Sequence, residues 1–186
     1  MASETARIRP RIRRLWTSDQ PGLALHFQRL DPPMRRLRFG AAVSDEFLAS
    51  YSRQLSSIDS VIFGAFPDGA MRGVGELRGL LDSWPPTAEI ALSVEPAWQD
   101  GGIGDALLNR LIATARNRGI RTLHMMCLRE NMRMQSLARK HCATLQIDAG
   151  SAQATLDPPW PTPMSMFEEI FGGPGHYLHG IFDPPD

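Results

Sequence analysis

One segment restricts the fold more than any other: a strand, a glycine-rich loop, a helix and a second strand follow one another between Ala88 and Leu128. Both strands, "AEIALSVEP" and "RTLHMMCL", are rich in apolar residues, as expected of strands buried in a sheet. Between them, "GDALLNRLIATARNRG" places its apolar residues on one helical face, and Gly119 is expected to end this helix. The unit predicts an α/β architecture.

The loop of this unit, "QDGGIG", has glycine at positions 101, 102 and 104, where the helix begins. Glycine in a helix costs roughly 1 kcal/mol relative to alanine, so three glycines at one helix start need a reason. The first turn of a helix carries unpaired N–H groups and a partial positive charge, which attract an anion. Because glycine lets the backbone approach that anion, the loop predicts a phosphate-binding site.

Several interpretations of this loop compete. A P-loop fails because no Lys-Ser or Lys-Thr follows the glycines. A dinucleotide fingerprint begins at Gly102 and Gly104, but its third glycine falls on Leu107. This partial match leaves one alternative, an oxidoreductase that binds NAD, with Glu130 as the ribose-binding acid. A glycine turn that serves close packing alone is another.

The rest of the chain adds strands and helices on both sides of the unit. Expected strands are "RIRPRIRRLW", the two arms of a hairpin around "PDG", and two strands around "AGS". Expected helices are "LALHFQRL", with Pro21 near its first turn, "DEFLASYSRQL", capped by Ser44 and Asp45, and "ENMRMQSLARKH". Between the first two helices, Pro32 and Pro33 predict a break.

The predicted order is β-α-α-β-β-β-α-β-α-β-β, an α/β fold of the α+β type with a mixed, partly antiparallel sheet. No internal repeat or linker divides the sequence, so residues 1–186 are expected to form a single domain with a core at about 10–158. Residues 159–186 are expected to be a C-terminal tail with one short helix near Met164 to Phe171.

Charge and composition exclude several functions. Twenty basic and 20 acidic residues give no net charge, which argues against a nucleic-acid partner. No run approaches the ~18 apolar residues of a membrane span, and the N-terminus lacks the apolar core of a signal peptide, so we expect a cytoplasmic protein without a membrane partner. Cys127 and Cys142 are expected as free thiols, with a disulfide as the alternative, and no Cys/His spacing predicts a metal.

Residue by residue, "VEPAWQDGGIGDAL" resembles the coenzyme A signature of the GNAT superfamily of N-acetyltransferases, in particular its bacterial members. In that signature Gln or Arg is followed by x-x-G-x-G/A, and Gln99, Gly102 and Gly104 occupy these positions. "GIRTLHMMCLREN" and "MQSLARKHCA" continue the family's order of strand, asparagine and helix, so the resemblance covers about residues 60 to 148. It implies a GNAT-like fold, in which helices flank a central mixed sheet.

The resemblance implies acetyl-CoA as acyl donor, with its pyrophosphate on the N–H groups of the loop and its pantetheine arm along the preceding strand. An N–H near Ser93 or Val94 is implied to polarise the thioester carbonyl. Asn131 matches the asparagine that bonds the pantetheine arm, and the alternative role for Asn131 is a helix N-cap. The implied donor-binding residues are Ser93, Val94, Gln99, Asp100, Gly101, Gly102, Ile103, Gly104, Asp105 and Asn131.

For catalysis, the resemblance implies Glu89 as general base, often acting through water. Strand alternation places Glu89, Ala91 and Ser93 on one face, and a solvated or salt-bridged glutamate is the alternative. The tyrosine that serves many relatives as general acid falls on Ala138, so that acid is missing. His141 and Cys142 lie nearby, but each is expected to have a packing or surface role.

The implied function is an acetyl-CoA-dependent N-acetyltransferase that transfers the acetyl group directly to a primary amine of a small molecule, an amino acid or a protein. The missing tyrosine motivates an alternative, a catalytically silent acyl-CoA-binding sensor or scaffold. The acceptor site is expected between about Leu23 and Tyr51, at the hairpin and at the last strands, and no acidic cluster there marks a polycation. Dimers are common in the family, so a homodimer is among the expected assemblies.

Overall fold

The computed structural model describes residues 10–54, 60–79 and 84–159. The helix expected near Met164 to Phe171 therefore lies outside the described residues. Two 3-10 turns, Thr17–Asp19 and Pro96–Trp98, precede α1 and follow β4. The elements in chain order are β1 (Arg11–Arg14), α1 (Gln20–Arg29), α2 (Pro32–Phe39), α3 (Asp45–Gln54), β2 (Ser60–Phe66), β3 (Gly73–Arg78), β4 (Thr87–Val94), α4 (Ile103–Asn117), β5 (Thr122–Leu128), α5 (Met132–Lys140), β6 (Thr144–Ile147) and β7 (Ser151–Leu156).

The seven strands of the described ranges form one sheet in the order β1-β2-β3-β4-β5-β7-β6. Every neighbouring pair is antiparallel except β4 and β5, which are parallel. The β4–β5 pairing runs only from Thr87, opposite Thr122, to Glu89, opposite His124. This confirms the predicted mixed sheet, and it leaves the second half of β4 without a strand on its β5 side.

Alternation along the strands divides the core between the two faces of the sheet. On β2, Val61 and Phe63 belong to the cluster under α4, whereas Ile62 belongs to the cluster under α1 and α3. The α4 side also contains Leu107, Leu111 and other fully buried residues of that helix. The sheet is therefore covered by helices on both faces.

Glycines on β3 allow α4 to lie close to the sheet. A Cβ at Gly73 would lie 2.8 Å from Cγ2 of Ile103, and a Cβ at Gly75 would lie 3.0 Å from Cδ1 of Leu111. Real side-chain carbons do not tolerate the first of these distances. The close approach positions the start of α4, and with it the glycine loop, against the end of β4.

The predicted break before Pro32 and Pro33 is confirmed, because α1 ends at Arg29, but the two prolines also form the first turn of a helix that was not predicted, α2. Their missing N–H groups are not needed there, since the first N–H groups of a helix have no intrahelical partner. Asp31 caps the helix by accepting a hydrogen bond from the N–H of Met34 at 2.8 Å. The observed order therefore contains one more helix than predicted, β-α-α-α-β-β-β-α-β-α-β-β.

Other local predictions agree with the structure. The hairpin around "PDG" is formed by β2 and β3, and the two strands around "AGS" are β6 and β7. Within the described part of "RIRPRIRRLW", which begins at Pro10, β1 covers Arg11–Arg14. Cys127 and Cys142 are free thiols, as expected. None of the helices in the described ranges is long and apolar enough to cross a membrane.

Candidate functional site

A cavity of about 730 Å³ opens where β4 and β5 stop pairing. Four parts of the fold line it: the end of β4, the glycine loop with the start of α4, α5 with the two residues before it, and α2 with Leu30. α2 contacts both β4 and β5 and so lies across the gap. Of the ten predicted donor-binding residues, eight line the cavity, namely Ser93, Val94, Gln99, Asp100, Gly102, Gly104, Asp105 and Asn131.

The open edge of β4 presents backbone groups to this cavity. The N–H of Glu95 donates to the carbonyl of Arg72, directly before β3. Because antiparallel strands bond through alternate residues, the peptide groups of Leu92 and Val94 point the other way, towards the gap. The amide of Gln99 donates to the carbonyl of Val94 at 2.9 Å, which agrees with this orientation and ties the loop to the strand. An extended chain in the gap can therefore pair with β4.

Positions 102 and 104 of the loop are glycine for different physical reasons. Gly102 has φ of 87°, a left-handed conformation that favours glycine, and it is the N-cap residue of α4. Gly104 lies inside the helix, and a Cβ there would be 3.7 Å from Cδ2 of Leu137, an ordinary contact. Packing thus does not require glycine at position 104, which leaves the approach of a ligand as its reason.

The first N–H groups of α4 are free to bind an anion. No side chain in the described part of the chain caps this helix, so its first-turn donors keep their hydrogen-bonding capacity. Gly101 is outside the cavity lining, and the side chain of Ile103 is buried in the core. These two residues can therefore contribute only through their backbone. The arrangement fits the pyrophosphate of an acyl-CoA, because the uncapped N–H groups of the first turn of α4 lie beside Gly104, which has no side chain to block an anion.

The acidic residues of the loop are paired with cations. Asp105 contacts Lys140 at 2.9 Å and His141 at 2.8 Å. Burial raises the pKa of Asp105, but the hydrogen bonds from Lys140 and His141 outweigh it, so that the pKa lies below its ordinary value. Asp100 contacts Arg133 at 3.2 Å in an exposed pair. Repulsion of a phosphate by these carboxylates is correspondingly reduced.

Asn131 acts as a helix cap and still faces the cavity. Its Oδ1 accepts a hydrogen bond from the N–H of Met134 at 3.1 Å, at the start of α5. The same residue lines the cavity. Because the oxygen is used for the cap, the NH₂ group of the side chain is the part that a ligand can contact.

Glu89 lies outside the cavity lining, nearer the start of β4. It is exposed, and it is opposite Arg78 on β3 and His124 on β5. It shares a face of β4 with Ser93, which is four residues further on, or about 13 Å along the strand.

The structure also explains two departures from the family pattern. Ala138 is 1% exposed and belongs to the core, so the tyrosine position provides no hydroxyl. Cys142 has φ of 61°, the left-handed conformation for which the family's glycine is suited.

Sequence reasoning missed a chain of hydrogen bonds behind the cavity. Nε2 of His26, on α1, lies 2.9 Å from Oγ of Ser93, and Nδ1 lies 3.3 Å from Oε1 of Glu95. His26, Ser93 and Glu95 are 0%, 8% and 6% exposed. Arg29 Nε and Arg72 Nη1 donate to Glu95 at 2.7 Å and 3.0 Å. His26 is 67 and 69 residues from its two partners, so no local pattern reveals the contact.

Burial and hydrogen bonding move the pKa values of this chain in definite directions. Burial raises the pKa of Glu95, but hydrogen bonds from His26, Arg29 and Arg72 outweigh it and hold that pKa at about 2. Burial lowers the pKa of His26 more than Glu95 raises it. The carboxylate is therefore ionised and the imidazole neutral at pH 7.

A second buried cluster was missed for the same reason. Glu76 is fully buried and accepts hydrogen bonds from Arg38 and from the hydroxyl of Tyr51, the latter at 2.7 Å. Burial and the charge of Glu76 raise the pKa of Tyr51 to about 12. Arg38 also lines the cavity, so its charge there is compensated by Glu76.

Comparisons with known proteins agree with this geometry. The family model described as Acetyltransferase (GNAT) family matches residues 26–143. The fold is similar to the GNAT domain of S. lividans PAT, with a TM-score of 0.69, 23% identity, and coverage of 80% of this chain and 90% of that one. It is also similar to the ribosomal-protein-S18-alanine N-acetyltransferase from Escherichia coli (TM-score 0.63, 20% identity, 83% and 97% covered). A third similar structure is the PaiA N-acetyltransferase from Thermoplasma acidophilum in complex with coenzyme A (TM-score 0.60, 20% identity, 80% and 98% covered).

Proposed function

Since the chain belongs to the GNAT acetyltransferase family and is an N-acetyltransferase that uses an acyl-CoA, we propose direct transfer of an acetyl group from acetyl-CoA to a primary amine in this cavity. The observation that carries this proposal is the uncapped first turn of α4 beside Gly104, where packing leaves room for a side chain that the sequence does not supply. A bound thioester supplies an activated acetyl group, and the residues of the chain orient it and handle the protons.

The donor is proposed to lie along the loop and the open edge of β4. Its pyrophosphate accepts hydrogen bonds from the N–H groups between Gln99 and Asp105, and its pantetheine arm lies along the edge of β4 and pairs with the peptide groups of Leu92. The N–H of Val94 polarises the thioester carbonyl, in the role of an oxyanion hole. The NH₂ group of Asn131 bonds the arm from the α5 side. The support for this placement is that Val94, Gln99 and Asn131 line one continuous cavity.

The acceptor is proposed to be a molecule with a single amine near the cavity, on a small molecule, an amino acid or a protein. The α2 side of the cavity is mainly apolar, with Leu30, Met34 and Leu37. The cation on that side, Arg38, is paired with Glu76. The three carboxylates in the described lining, Asp100, Asp105 and Glu130, are each paired with a cation. A polycationic acceptor therefore finds no free carboxylate in the part of the cavity that the structure describes.

Glu89 is proposed to accept, through water, the proton that an incoming ammonium group must lose before its nitrogen can attack. Its support is the face of β4 that it shares with Ser93. Its exposed position gives solvent the means to carry the proton away. A catalytically silent acyl-CoA-binding domain is not favoured, because the family and the similar structures are acetyltransferases.

A thiol-release assay with acetyl-CoA tests the proposal. Amino acids, peptides with free N-termini, lysine peptides, polyamines and aminoglycosides are offered in turn, and release of coenzyme A is followed with each. We expect release with acceptors that carry one amine, and little with polycations.

The matched variants are Gly104→Glu and Gly150→Glu. Gly150 is exposed, and no atom lies within 4 Å of a Cβ at that position. We expect Gly104→Glu to abolish release and binding of acetyl-CoA, and Gly150→Glu to leave both intact. Unchanged binding in Gly104→Glu would show that the donor lies elsewhere.

A further inference from the structure

The side chains of His26, Ser93 and Glu95 form a buried chain that ends at the cavity, and the proposed binding of the donor uses none of them. Ser93 is the member that lines the cavity. His26 lies directly behind it, and Glu95 lies behind His26. Burying three polar side chains costs desolvation free energy. Their arrangement in one hydrogen-bonded series therefore needs a functional explanation.

The charge of Glu95 fixes the direction of the hydrogen bonds. An ionised carboxylate can only accept, so Nδ1 of His26 carries the hydrogen and donates to Glu95. Nε2 of a neutral imidazole is then an acceptor, and the hydroxyl of Ser93 donates to it at 2.9 Å. The lone pairs of Ser93 Oγ therefore remain for a group in the cavity.

The environment keeps His26 in this neutral form. The charged groups around it are Glu95 on the β4 side, Arg29 on α1 and Glu76 on β3, and Arg72 reaches it through Glu95. Burial is the largest influence and lowers the pKa of His26. A proton that arrives at Nε2 is stabilised by the carboxylate of Glu95 at the opposite nitrogen.

Transfer of an acetyl group from sulfur to nitrogen requires a second proton movement beyond the one proposed for Glu89. An ammonium group loses two protons on the way to an amide: one leaves to solvent, and the other must leave the nitrogen after it attacks. The departing sulfur gains one proton. The tyrosine that many relatives use for this step falls on Ala138, which is in the core.

We propose that Ser93 is a catalytic proton shuttle that moves this second proton from the acceptor nitrogen to the departing sulfur. As the nitrogen–carbon bond forms, Oγ of Ser93 takes the proton from nitrogen and passes its own proton to Nε2 of His26. As the carbon–sulfur bond breaks, the proton returns from Nε2 to Oγ, and Oγ gives a proton to sulfur. Protons and electron pairs balance, and the enzyme is regenerated. The inference rests on the proposed function.

His26 and Glu95 act through Ser93 and are positioning residues. His26 holds the hydroxyl and stores its proton, and Glu95 holds the tautomer of His26. Arg29 and Arg72 keep Glu95 ionised and in place. A serine, a histidine and a carboxylate in this order also occur where serine is a nucleophile, so a covalent acetyl-serine is the competing outcome.

The first test compares Ser93→Ala with Ser52→Ala. Ser52 is also buried, but its hydroxyl donates to the carbonyl of Leu48 within α3 and it does not line the cavity. We expect kcat to fall about 10-fold or more in Ser93→Ala, with KM for acetyl-CoA nearly unchanged, and Ser52→Ala to keep the parental kcat. A kcat of Ser93→Ala equal to that of the parent would overturn the shuttle.

A solvent-isotope experiment separates a shuttle from a structural role. Two protons move together through Ser93, so kcat plotted against the deuterium fraction of the solvent is expected to curve for the parent and to be linear for Ser93→Ala. His26→Gln keeps a hydrogen-bonding group but cannot store a proton, so it is expected to match Ser93→Ala. The double variant is expected to lose no more than either single one. Additive losses would contradict a single relay.

Two measurements do not depend on turnover. In nitrogen NMR spectra of the free protein at pH 7, His26 is expected as the neutral form with hydrogen on Nδ1. Hydrogen on Nε2 would overturn the proposal even if the variants fail to fold. Intact-mass spectra after mixing with acetyl-CoA alone are expected to show no acetyl group on Ser93, and an acetyl adduct there would establish the nucleophile instead.

Failure of the shuttle and failure of the proposed function give different results. Calorimetry is expected to show that Ser93→Ala binds acetyl-CoA like the parent. If the parent transfers acetyl to an amine and Ser93→Ala does so equally well, the shuttle alone is wrong. If the parent binds acetyl-CoA but transfers nothing to any amine, the proposed function fails, and the shuttle fails with it.

Discussion

Replacing Gly104 by alanine is expected to raise the stability of the protein while it weakens acetyl-CoA binding. Gly104 is the second residue of α4, and a Cβ there would make an ordinary 3.7 Å contact with Leu137. Alanine is favoured over glycine in a helix by up to about 1 kcal/mol, so we expect a gain of about 0.5–1 kcal/mol. For a chain of this length, that corresponds to an increase in Tm of about 1–4 °C.

The same Cβ has the opposite effect on the ligand. Gly104 lines the cavity, so the added methyl group lies between the first-turn N–H groups and the phosphate proposed to bind there. A hydrogen bond to a charged group contributes about 1.5–3 kcal/mol. Loss of one such bond is expected to weaken binding about 10- to 100-fold.

Thermal denaturation and calorimetric titration with acetyl-CoA measure the two effects on the same preparation. Gly150→Ala is the control. Gly150 is exposed, and in the described part of the structure no atom beyond its chain neighbours lies within 4 Å of a Cβ added there. A higher Tm with unchanged Kd would refute the placement of the phosphate at Gly104. A lower Tm would refute the argument that packing does not require this glycine.

Three further perturbations test the fold around the site. Gly73→Ala places a Cβ 2.8 Å from Ile103, and such overpacking is expected to lower the free energy of unfolding by about 1–3 kcal/mol. Urea denaturation measures this loss, and an unchanged midpoint would contradict the close packing of α4 on the sheet. Cys142→Gly replaces a cysteine that has a left-handed backbone conformation, and it is expected to stabilise the protein by about 0.5–1 kcal/mol, seen as a higher Tm. A lower Tm would mean that the thiol makes a needed contact. The pKa of Glu95 is lowered from 4.5 to about 2, so its contribution to stability is complete above pH 4.5 and is lost as the pH falls towards 2. Glu95→Gln is expected to flatten the dependence of Tm on pH in that window, and an equally steep dependence in the variant would show that other groups cause it.

Local signals in the sequence predicted most elements. The turn at "PDG", the cap at Asn131 and the glycine loop each depend on residues within a few positions of one another, and each is present. The helix α2 was missed because only the helix-breaking property of Pro32 and Pro33 was considered. Asp31, directly before the two prolines, was the available signal, because a capping residue followed by proline favours a helix start.

By itself, the sequence determined the family and the mixed sheet. It also led to the proposed site for the acyl donor, because the residues from Gln99 to Asp105 are contiguous and their backbone forms the proposed phosphate site. Only the tertiary structure brought His26 to Ser93 and Glu95, across 67 and 69 residues. That contact depends on how α1 packs on the face of the sheet that Ser93 shares, and side-chain packing over such separations leaves no periodic trace in the chain. The sequence thus predicted where the donor is proposed to bind, and the packing of α1 on the sheet decided which side chains lie behind Ser93.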